Sequence, residues 1–373
     1  MIPFQLQRIC TIMEPEPGNE FEAAGVLNPA VTRGPDGGLY LFPRLVAKNN
    51  YSRIGIARVK FDEAGEPIGV ERLGIALEPE ASYEKRANGR GGCEDARVTF
   101  VGPLQYYIMT YTAFGAKGPR IALARSKDLF HWERLGLVRY LPYKGIDFNK
   151  INNKDASVFP FSIKSPKGHA SIGMLHRPLF PGSTPEETVK RREGRIIDSH
   201  KESIWISYYN FGEDITFQYA RFTSNHRLAV PVQPWEKLKI GAGAPPLLTK
   251  HGWLIVYHGV HKLEGSTPSK PKLCYSAGVM ILSEKDPQKV IYRSPEPVLS
   301  PELPEERVGV IANVVFPTGI DCRNDIGQPH RVDVYYGMAD NRIGVAKMLI
   351  PDVLPELTIE DKLAKQHDLK LEF

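Results

Sequence analysis

The chain has 373 residues, of which 42% are hydrophobic and 24% charged, and its formal net charge is only +5. This is the composition of a globular protein, with no stretch approaching the ~18 consecutive apolar residues of a membrane helix and no basic, apolar-cored secretory signal at the N-terminus. The densest basic run, Lys190 to Arg192 with Arg195, is interrupted by Glu193, which is typical of a solvated loop and predicts no nucleic-acid surface.

The four cysteines, Cys10, Cys93, Cys274 and Cys322, are scattered through the chain. No pair has the spacing of a metal site or a redox motif, so we expect free thiols in a reducing cytoplasm. No metal ion is predicted.

Short β-branched and aromatic runs, separated by Gly, Pro, Asp and Asn, indicate an all-β protein. A polar or small opening followed by an apolar strand recurs five times, and each unit ends with a strand of the RIGIARVKF type. Five units at this spacing predict one five-bladed β-propeller over residues 1–373. A β-sandwich is the alternative, but it gives no reason for the repetition. The openings, in chain order, are GVLNPAVTR from Gly25, CEDARVTFV from Cys93, NKDASVFPF from Asn153, GAGAPPLLT from Gly241 and ANVVFPTGI from Ala312.

Two segments depart from the repeat. Residues 180–203, rich in Pro, Glu, Lys and Arg, are predicted to be an exposed insertion in the third blade. Only residues 359–373 have a pattern that predicts a short helix.

The openings of the units are where chemistry is expected, because the innermost strands of a propeller line its central channel. Asp95, Lys154, Asp155 and Asn313 therefore should lie near one another. Asp95 follows a Gly-rich turn and Glu94, and burial in a cleft would raise its pKa so that it holds a proton. The alternative is an aspartate that caps a turn.

Further candidates lie at strand ends, where a surface salt bridge or a buried core histidine is the alternative interpretation of each. They are Arg44, Ser52 with Arg53, His176 with Arg177, Lys239, Tyr257 with His258, and Asp340. No HExxH, GxSxG or P-loop motif is present, so no serine nucleophile or nucleotide cofactor is predicted. Aromatic side chains that could stack on sugar rings are Tyr51, Tyr111, Phe114, Tyr208, Tyr209 and Tyr257.

The segments GCEDARVTF, NKDASVFP, MLHRP, KIGAGAPPLLTKHGWLIVYHGV, DPQKVIYRSPEPVL and VYYGMADNRIGVA run in order from about residue 25 to 350. Together they resemble glycoside hydrolase family 130, the β-mannoside phosphorylases and mannosidases. The resemblance implies a five-bladed propeller and an inverting mechanism with Asp95 as general acid. It also implies that Asp340 binds the terminal sugar and that Ser52 and Arg53 belong to the mannose site. The other candidate substrate-binding residues are Arg44, Asp155, His176 and Tyr257.

The attacking group decides between two activities. An inverting hydrolase needs a second carboxylate about 6.5–9.5 Å from the acid, whereas a phosphorylase needs cations that hold phosphate. In the resemblance, Arg177 and Lys239 stand where hydrolytic members have glutamates, and Lys154 and His258 are expected beside them. We therefore predict phosphorolysis of manno-oligosaccharides or mannosyl disaccharides to α-mannose 1-phosphate, with inorganic phosphate as co-substrate and no cofactor.

Other activities remain open at this stage. An inverting β-mannosidase would draw its base from Glu202, Glu213 or Glu264. A non-catalytic propeller that binds glycans or proteins would lack a convergent acid and cation set. An arabinanase-like or fructosidase-like hydrolase would use carboxylates such as Asp95 and Asp155 but leave Arg177 and Lys239 without a role. A homo-oligomer is compatible with the family, and the sequence does not fix the linkage or the acceptor sugar.

Overall fold

A computed structural model describes residues 3–143, 146–180, 202–211, 217, 220–267 and 269–356. Strands dominate these residues, and helical structure is confined to one short helix, α1 (Pro304–Arg307), and to 3-10 turns. The 3-10 turns are Glu20–Glu22, Lys48–Asn50, Ser82–Glu84, Gly102–Leu104, Phe148–Lys150, Pro234–Glu236 and Arg323–Ile326.

The strands follow one another with short connections. In chain order they are β1 (Gln7–Met13), β2 (Gly25–Arg33), β3 (Leu39–Ala47), β4 (Tyr51–Phe61), β5 (Pro67–Leu77), β6 (Gly91–Val101), β7 (Tyr106–Gly115), β8 (Gly118–Ser126), β9 (Glu133–Leu137), β10 (Arg139–Tyr140), β11 (Asn152–Val158), β12 (Ile163–Lys164), β13 (Ala170–Leu179), β14 (Ile204–Asn210), β15 (Arg221–Ala229), β16 (Lys239–Ala242), β17 (Leu247–Thr249), β18 (Gly252–Lys262), β19 (Leu273–Leu282), β20 (Val290–Arg293), β21 (Val315–Cys322), β22 (Arg331–Met338) and β23 (Arg342–Leu349).

Antiparallel pairing groups these strands into five blades, each with its first strand innermost. Strands β2–β5 form blade 1, β6–β9 blade 2, β11 with β13–β15 blade 3, β16 with β18–β20 blade 4, and β21–β23 with β1 blade 5. The short β12 and β17 pair with β13 and β18, and β10 runs parallel to β15. The predicted five-bladed β-propeller is thereby confirmed.

The N-terminal strand closes the ring. Strand β1 is the outermost strand of blade 5, paired with β23. Its Arg8 donates from Nε and Nη2 to the buried carboxylate of Glu306, at 2.8 and 2.9 Å. The first and the last described strands therefore belong to one blade, which removes the free edge that an open ring would leave.

Burial explains why the strand sequences differ across a blade. The second strand of blade 4, β18, is buried along its first nine residues because it has neighbours on both faces and both edges. The outermost strand of blade 1, β5, exposes four consecutive residues in its middle. Continuous apolar runs therefore mark strands inside a blade, and mixed runs mark outer strands.

A buried glutamate between blades holds several of the turns in place. The carboxylate of Glu84 accepts a hydrogen bond of 2.6 Å from the Tyr111 hydroxyl and one of 3.0 Å from Arg134 Nε, and it also caps two backbone N–H groups. We call this arrangement the glutamate clamp. It recurs with Glu236, Tyr257 and Arg293, and with Glu306, Tyr336 and Arg8.

Some sequence predictions fall on residues without a description. Residues 181–201 of the predicted insertion, and 359–373 of the predicted C-terminal helix, lie outside the described residues. All four cysteines are free thiols, as predicted. None of the helices in the described part of the chain is long and apolar enough to cross a membrane.

The glutamate clamp predicts a large loss of stability on Glu84→Ala, because Tyr111 and Arg134 lose a shared buried acceptor. We expect a decrease in the free energy of unfolding of about 3 kcal/mol, measured by urea denaturation. The control is Glu71→Ala on the exposed part of β5, expected to change stability by about 0.5 kcal/mol or less. Equal effects of the two substitutions would show that the clamp is not stabilising.

Candidate active site

Residues from all five blades line a central cavity of about 620 Å³. Five lysine and arginine side chains line it against three aspartates, so its surface favours an anion. The polar and aromatic lining residues on the blades are Asn28 and Arg44 in blade 1, Asp95 in blade 2, Lys154, Asp155 and Arg177 in blade 3, Lys239, His258 and Tyr275 in blade 4, and Phe316 and Asp340 in blade 5.

A β-bulge in each of the first three innermost strands turns a polar side chain toward this cavity. The pairing register shifts between Leu27 and Ala30, between Glu94 and Arg97, and between Lys154 and Ser157. The residues at these shifts have left-handed backbone conformations, and they are of the types that tolerate a positive φ best after glycine. They are Asn28 (φ 46°), Asp95 (φ 50°) and Asp155 (φ 54°).

Asp95 is the centre of a buried network of charges. Its Oδ1 accepts hydrogen bonds from Asn28 Nδ2 at 2.8 Å and from Arg44 Nη1 at 3.3 Å. Arg44 also donates to Glu94 at 2.9 Å, and Lys154 Nζ lies 3.6 Å from the same carboxylate. Asp95 is thus held on the cavity wall with cations on two sides.

The charge state of Asp95 differs from the sequence expectation. Burial raises its pKa, but the charges of Arg44 and Lys154 and the hydrogen bond from Asn28 outweigh burial, so the pKa lies below its ordinary value. The expectation of a raised pKa was therefore wrong for the free protein. That expectation took account of burial but not of the neighbouring cations, Arg44 and Lys154.

Asp340 carries the raised pKa instead. It lies in the short loop between β22 and β23, with a φ of 51°. Burial, together with the charges of Asp95 and Glu94, raises its pKa to about 6 in spite of Arg44 and Lys154. The two aspartates of this side of the cavity therefore differ in how readily they take up a proton.

The opposite side of the cavity is built around Asp155 and Arg177. Arg177 Nε donates to Asp155 Oδ2 at 2.5 Å, and His258 Nε2 lies 3.7 Å from the same oxygen. Arg177 also forms an ion pair with Glu202. Burial raises the pKa of Asp155, but Arg177 and His258 outweigh it and hold that pKa far below its ordinary value, so Asp155 is ionised.

His258 and Lys239 complete this side. Burial, with Arg177 and Lys239 nearby, lowers the pKa of His258 to about 3, so its imidazole is neutral near pH 7. Neither of its ring nitrogens has a hydrogen-bond partner among the described residues. Lys239 Nζ lies 5.4 Å from the centre of the Tyr275 ring, and burial lowers its pKa. The ring N–H of His258 is therefore a donor of the kind that a bound oxyanion requires.

Gly241 has a steric role in bringing these groups together. A Cβ atom at this position would lie 2.3 Å from Asp155 Oδ2 and 2.4 Å from His258 Cε1. Only glycine therefore lets the aspartate of blade 3 approach the histidine of blade 4.

Arg97 is a functional residue that the sequence analysis missed. It is fully buried under the cavity, where Nε donates to Gly243 O at 2.7 Å and Nη1 to Asp95 O at 2.8 Å. It thus ties blade 2 to blade 4 beneath the acid. The available signal was an arginine two residues beyond Asp95 in an innermost strand.

The structure brings eight of the twelve predicted site residues to the cavity and places four elsewhere. Those lining it are Arg44, Asp95, Lys154, Asp155, Arg177, Lys239, His258 and Asp340. Ser52 is buried behind the wall, where its hydroxyl accepts from Arg44 Nε at 2.9 Å. The remaining three, Arg53, His176 and Tyr257, do not line the cavity.

These three corrections have one physical cause, since neighbouring residues of a strand point to opposite faces. His176 faces the core of blade 3, hydrogen-bonded to Asn153 and Ser207, because its neighbour Arg177 faces the cavity. Tyr257, next to His258, is part of a glutamate clamp. Arg53, next to Ser52, faces a separate groove.

The predicted aromatic residues also lie mostly away from the cavity. Tyr111, Tyr208 and Tyr209 are buried in the blades, and Tyr51 lines the separate groove. The ring centre of Phe114 lies 5.6 Å from Lys154 Nζ. Tyr275 and Phe316 line the cavity instead. Asn313, from the opening of the fifth unit, lines it as expected.

The alternative bases are placed less centrally than the aspartates. Glu202 pairs with Arg177 but does not line the cavity, and neither does Glu264. Glu213 lies outside the described residues. Among the residues that the structure describes, no group of three or more His, Cys, Asp or Glu side chains is arranged to hold a metal ion.

Comparison with known proteins agrees with this architecture. The family model Glyco_hydro_130, described as beta-1,4-mannooligosaccharide phosphorylase, matches residues 10–358. The chain is 33% identical over 350 residues to a 1,2-beta-oligomannan phosphorylase of Thermoanaerobacter sp. (strain X514), covering 92% of this chain and 96% of that protein. It is also similar in structure to the beta-1,2-mannobiose phosphorylase of Listeria innocua, with a TM-score of 0.66 and 22% identity, covering 98% and 99% of the two chains.

The same fold also carries hydrolysis. A further solved structure has a TM-score of 0.69 and 20% identity, covering 96% of this chain and 97% of the other. It is described with GH130 glycoside hydrolases that target beta-1,2 mannosidic linkages in Candida mannan. The fold by itself therefore does not choose between phosphate and water, and the side chains of the cavity must.

The raised pKa of Asp340 predicts a pH dependence of stability. Because the folded protein binds this proton more tightly than the unfolded chain, stability falls as the pH rises from about 4 to about 6. Asp340→Asn removes this effect, so we expect similar stability at pH 4 and a variant more stable by up to about 3 kcal/mol at pH 7. Thermal unfolding of both proteins from pH 4 to 7 measures it. Parallel curves would contradict the raised pKa.

Proposed function

We infer that this chain, which belongs to glycoside hydrolase family 130, catalyses inverting phosphorolysis of β-mannosides to α-mannose 1-phosphate. One observation supports this activity above the others. The acid candidate Asp95 and three basic side chains, Arg177, Lys239 and His258, line the same cavity. One relative, which the chain matches over 92% of its own length, is a 1,2-beta-oligomannan phosphorylase. Manno-oligosaccharides are accordingly the proposed substrates.

The two sides of the cavity have different roles in the proposed mechanism. The terminal mannosyl unit lies against Asp95, Arg44 and Asp340, and phosphate is held by Lys154, Arg177, Lys239 and His258. A phosphate oxygen forms a bond to the anomeric carbon while the glycosidic bond breaks on the opposite face. The leaving oxygen takes the proton of Asp95, directly or through a substrate hydroxyl. The β-linked mannoside thereby becomes an α-linked phosphate ester.

Phosphate also prepares the acid in this proposal. In the free protein Arg44 and Lys154 keep Asp95 ionised, and an ionised carboxylate has no proton to give. Binding of a phosphate dianion beside Lys154 offsets part of this positive field and raises the pKa of Asp95. Protonation of the acid is then coupled to the arrival of the nucleophile.

Hydrolysis is the second candidate, supported by the position of Glu202 next to Arg177. The base of a hydrolase must be a carboxylate that is free to accept a proton from water. Asp155 is a poor base because its pKa is low and its Oδ2 already accepts a hydrogen bond from Arg177. Glu202 is likewise paired with Arg177. The cations of this side would have no role in water attack, which favours phosphorolysis.

A run in the synthetic direction tests the proposed function. The protein is incubated with α-mannose 1-phosphate and a panel of sugar acceptors, and phosphate release is measured. Release that depends on one acceptor supports phosphorolysis and identifies the leaving group. Absence of release, with mannose formed from β-mannobioses in phosphate-free buffer, would instead establish a hydrolase.

The remaining sequence predictions stay predictions. They are inorganic phosphate as co-substrate without a metal or cofactor, a cytoplasmic location and a homo-oligomer.

Asp95→Asn should lower kcat about 10²- to 10⁴-fold, because the amide cannot protonate the leaving oxygen. The decrease in kcat should be smaller with a 4-nitrophenyl β-mannoside as substrate, because its leaving group needs no proton. Circular dichroism checks that the fold is kept. A variant that loses the same factor on both substrates would show that Asp95 is not a general acid.

Lys239→Met should raise KM for phosphate about tenfold or more and change KM for the sugar much less, because a charged donor to the anion is lost. Initial rates at varied phosphate measure the effect. Lys262→Met, an exposed lysine at the end of β18, is the matched control. An unchanged phosphate KM in Lys239→Met would remove Lys239 from the anion site.

A further inference from the structure

A second cavity lies at the junction of blades 2 and 3, and the mechanism above does not use it. We call it the junction cavity. Its walls come from β8 and β9 on the side of blade 2, and from β10 and the start of β11 on the side of blade 3. Its volume is about 460 Å³, within the range of ligand-binding pockets, roughly 300–1,000 Å³. It shares no lining residue with the central cavity.

A buried glutamate, present before the innermost strand of the other four blades, is absent from the described part of this junction. The turn that leads into blade 3, Phe148–Lys150, has the sequence FNK. Phe148 packs against Tyr140 and His176, with ring centres 5.7 and 6.1 Å apart, so aromatic rings take the place of the glutamate clamp. This turn therefore brings no carboxylate into the junction. The glutamates of the other four blades are Glu22, Glu84, Glu236 and Glu306.

Among the described residues that line the junction cavity, two are arginines and none is Asp or Glu. Arg120 Nη1 donates to neutral acceptors, the side-chain oxygen of Asn152 and, at 3.0 Å, the carbonyl oxygen of Pro119. Burial lowers the pKa of Arg120. Arg139 of β10 lies opposite Arg221 in the parallel pair with β15, so its neighbour across the strands has the same charge. An anion between the arginines would relieve this repulsion.

Asp147, the acidic residue of the segment between β10 and β11, does not neutralise these arginines. Its Oδ1 accepts hydrogen bonds from the backbone N and the Nδ2 of Asn149, at 3.1 and 2.8 Å. Its Oδ2 lies 3.4 Å from Lys150 Nζ, and its side chain does not line the cavity. Asp147 is therefore compensated by its own turn.

The remainder of the wall is largely apolar. Ile121, Leu135, Leu137 and Ile151 line it, and Leu137 is 36% exposed. A small inorganic ion would leave these side chains in contact with water, whereas an organic anion would cover them. A phosphate monoester has a charge of about −1.5 to −2 near pH 7 and three acceptor oxygens, which match two guanidinium groups.

We propose that the junction cavity binds a phosphate monoester with an apolar body. The phosphate group lies between Arg120 and Arg139, and the body packs against Leu135, Leu137 and Ile151. The site is separate from Asp95, and it does not depend on the proposed function.

Calorimetric titration with phenyl phosphate tests the proposal. All titrations use Lys239→Met as the background, because the central cavity also attracts anions. In this background, adding Arg120→Gln or Arg139→Gln should raise the Kd of phenyl phosphate about tenfold or more, since each removes a charged donor. Arg58→Gln, at an arginine of β4 whose side chain is 47% exposed, is the matched control and should leave the Kd unchanged. Absence of binding in the background protein, or a Kd unchanged by Arg139→Gln, overturns the proposal.

Two further ligands separate a site for an organic phosphate from a general attraction for anions. Inorganic phosphate lacks the apolar body and benzyl alcohol lacks the charge, so both should bind about tenfold more weakly than phenyl phosphate or not at all. Leu137→Ala should raise the Kd of phenyl phosphate about threefold and leave that of inorganic phosphate unchanged. Equal affinities for phenyl phosphate and inorganic phosphate would show an adventitious ion only and overturn the proposal. These outcomes keep their meaning whether or not phosphorolysis is found, because Lys239→Met is common to every titration.

Discussion

The left-handed backbone of three residues, Asn28, Asp95 and Asp155, decides which side chains reach the central cavity. Each lies in a bulge of an innermost strand, where the extra residue interrupts the regular alternation of side chains. Asparagine and aspartate tolerate this conformation. The hydrogen bonds that their side chains form at the cavity offset the strain of the backbone. The propeller supplies five converging strands, and the bulges convert that convergence into a polar site.

The charges of the cavity serve two requirements that conflict in the free protein. Cations are needed to hold phosphate, yet the same field lowers the pKa of Asp95, which must carry a proton to act. Bound phosphate resolves the conflict in the proposed mechanism by neutralising part of that field. A hydrolase has no anion to do so, and this makes the cation-rich cavity a poor site for water attack.

The sequence predicted the fold because each blade repeats one three-strand theme, and it predicted the residues that open the innermost strands, such as Asp95 and Lys154. It assigned His176 and Tyr257 to the site because each adjoins a cavity residue, and strand alternation sends both into the blades. The lowered pKa of Asp95 depends on Arg44, which is 51 positions away in the chain. Such long-range charge pairs cannot be read from a pattern of neighbours.

The most direct test of the account is the fate of a β-mannobiose with and without phosphate, followed by phosphorus and proton nuclear magnetic resonance. With phosphate, the account predicts α-mannose 1-phosphate and mannose in equal amounts, and without phosphate it predicts no cleavage. Free mannose formed at the same rate in both samples, with no sugar phosphate, would contradict it.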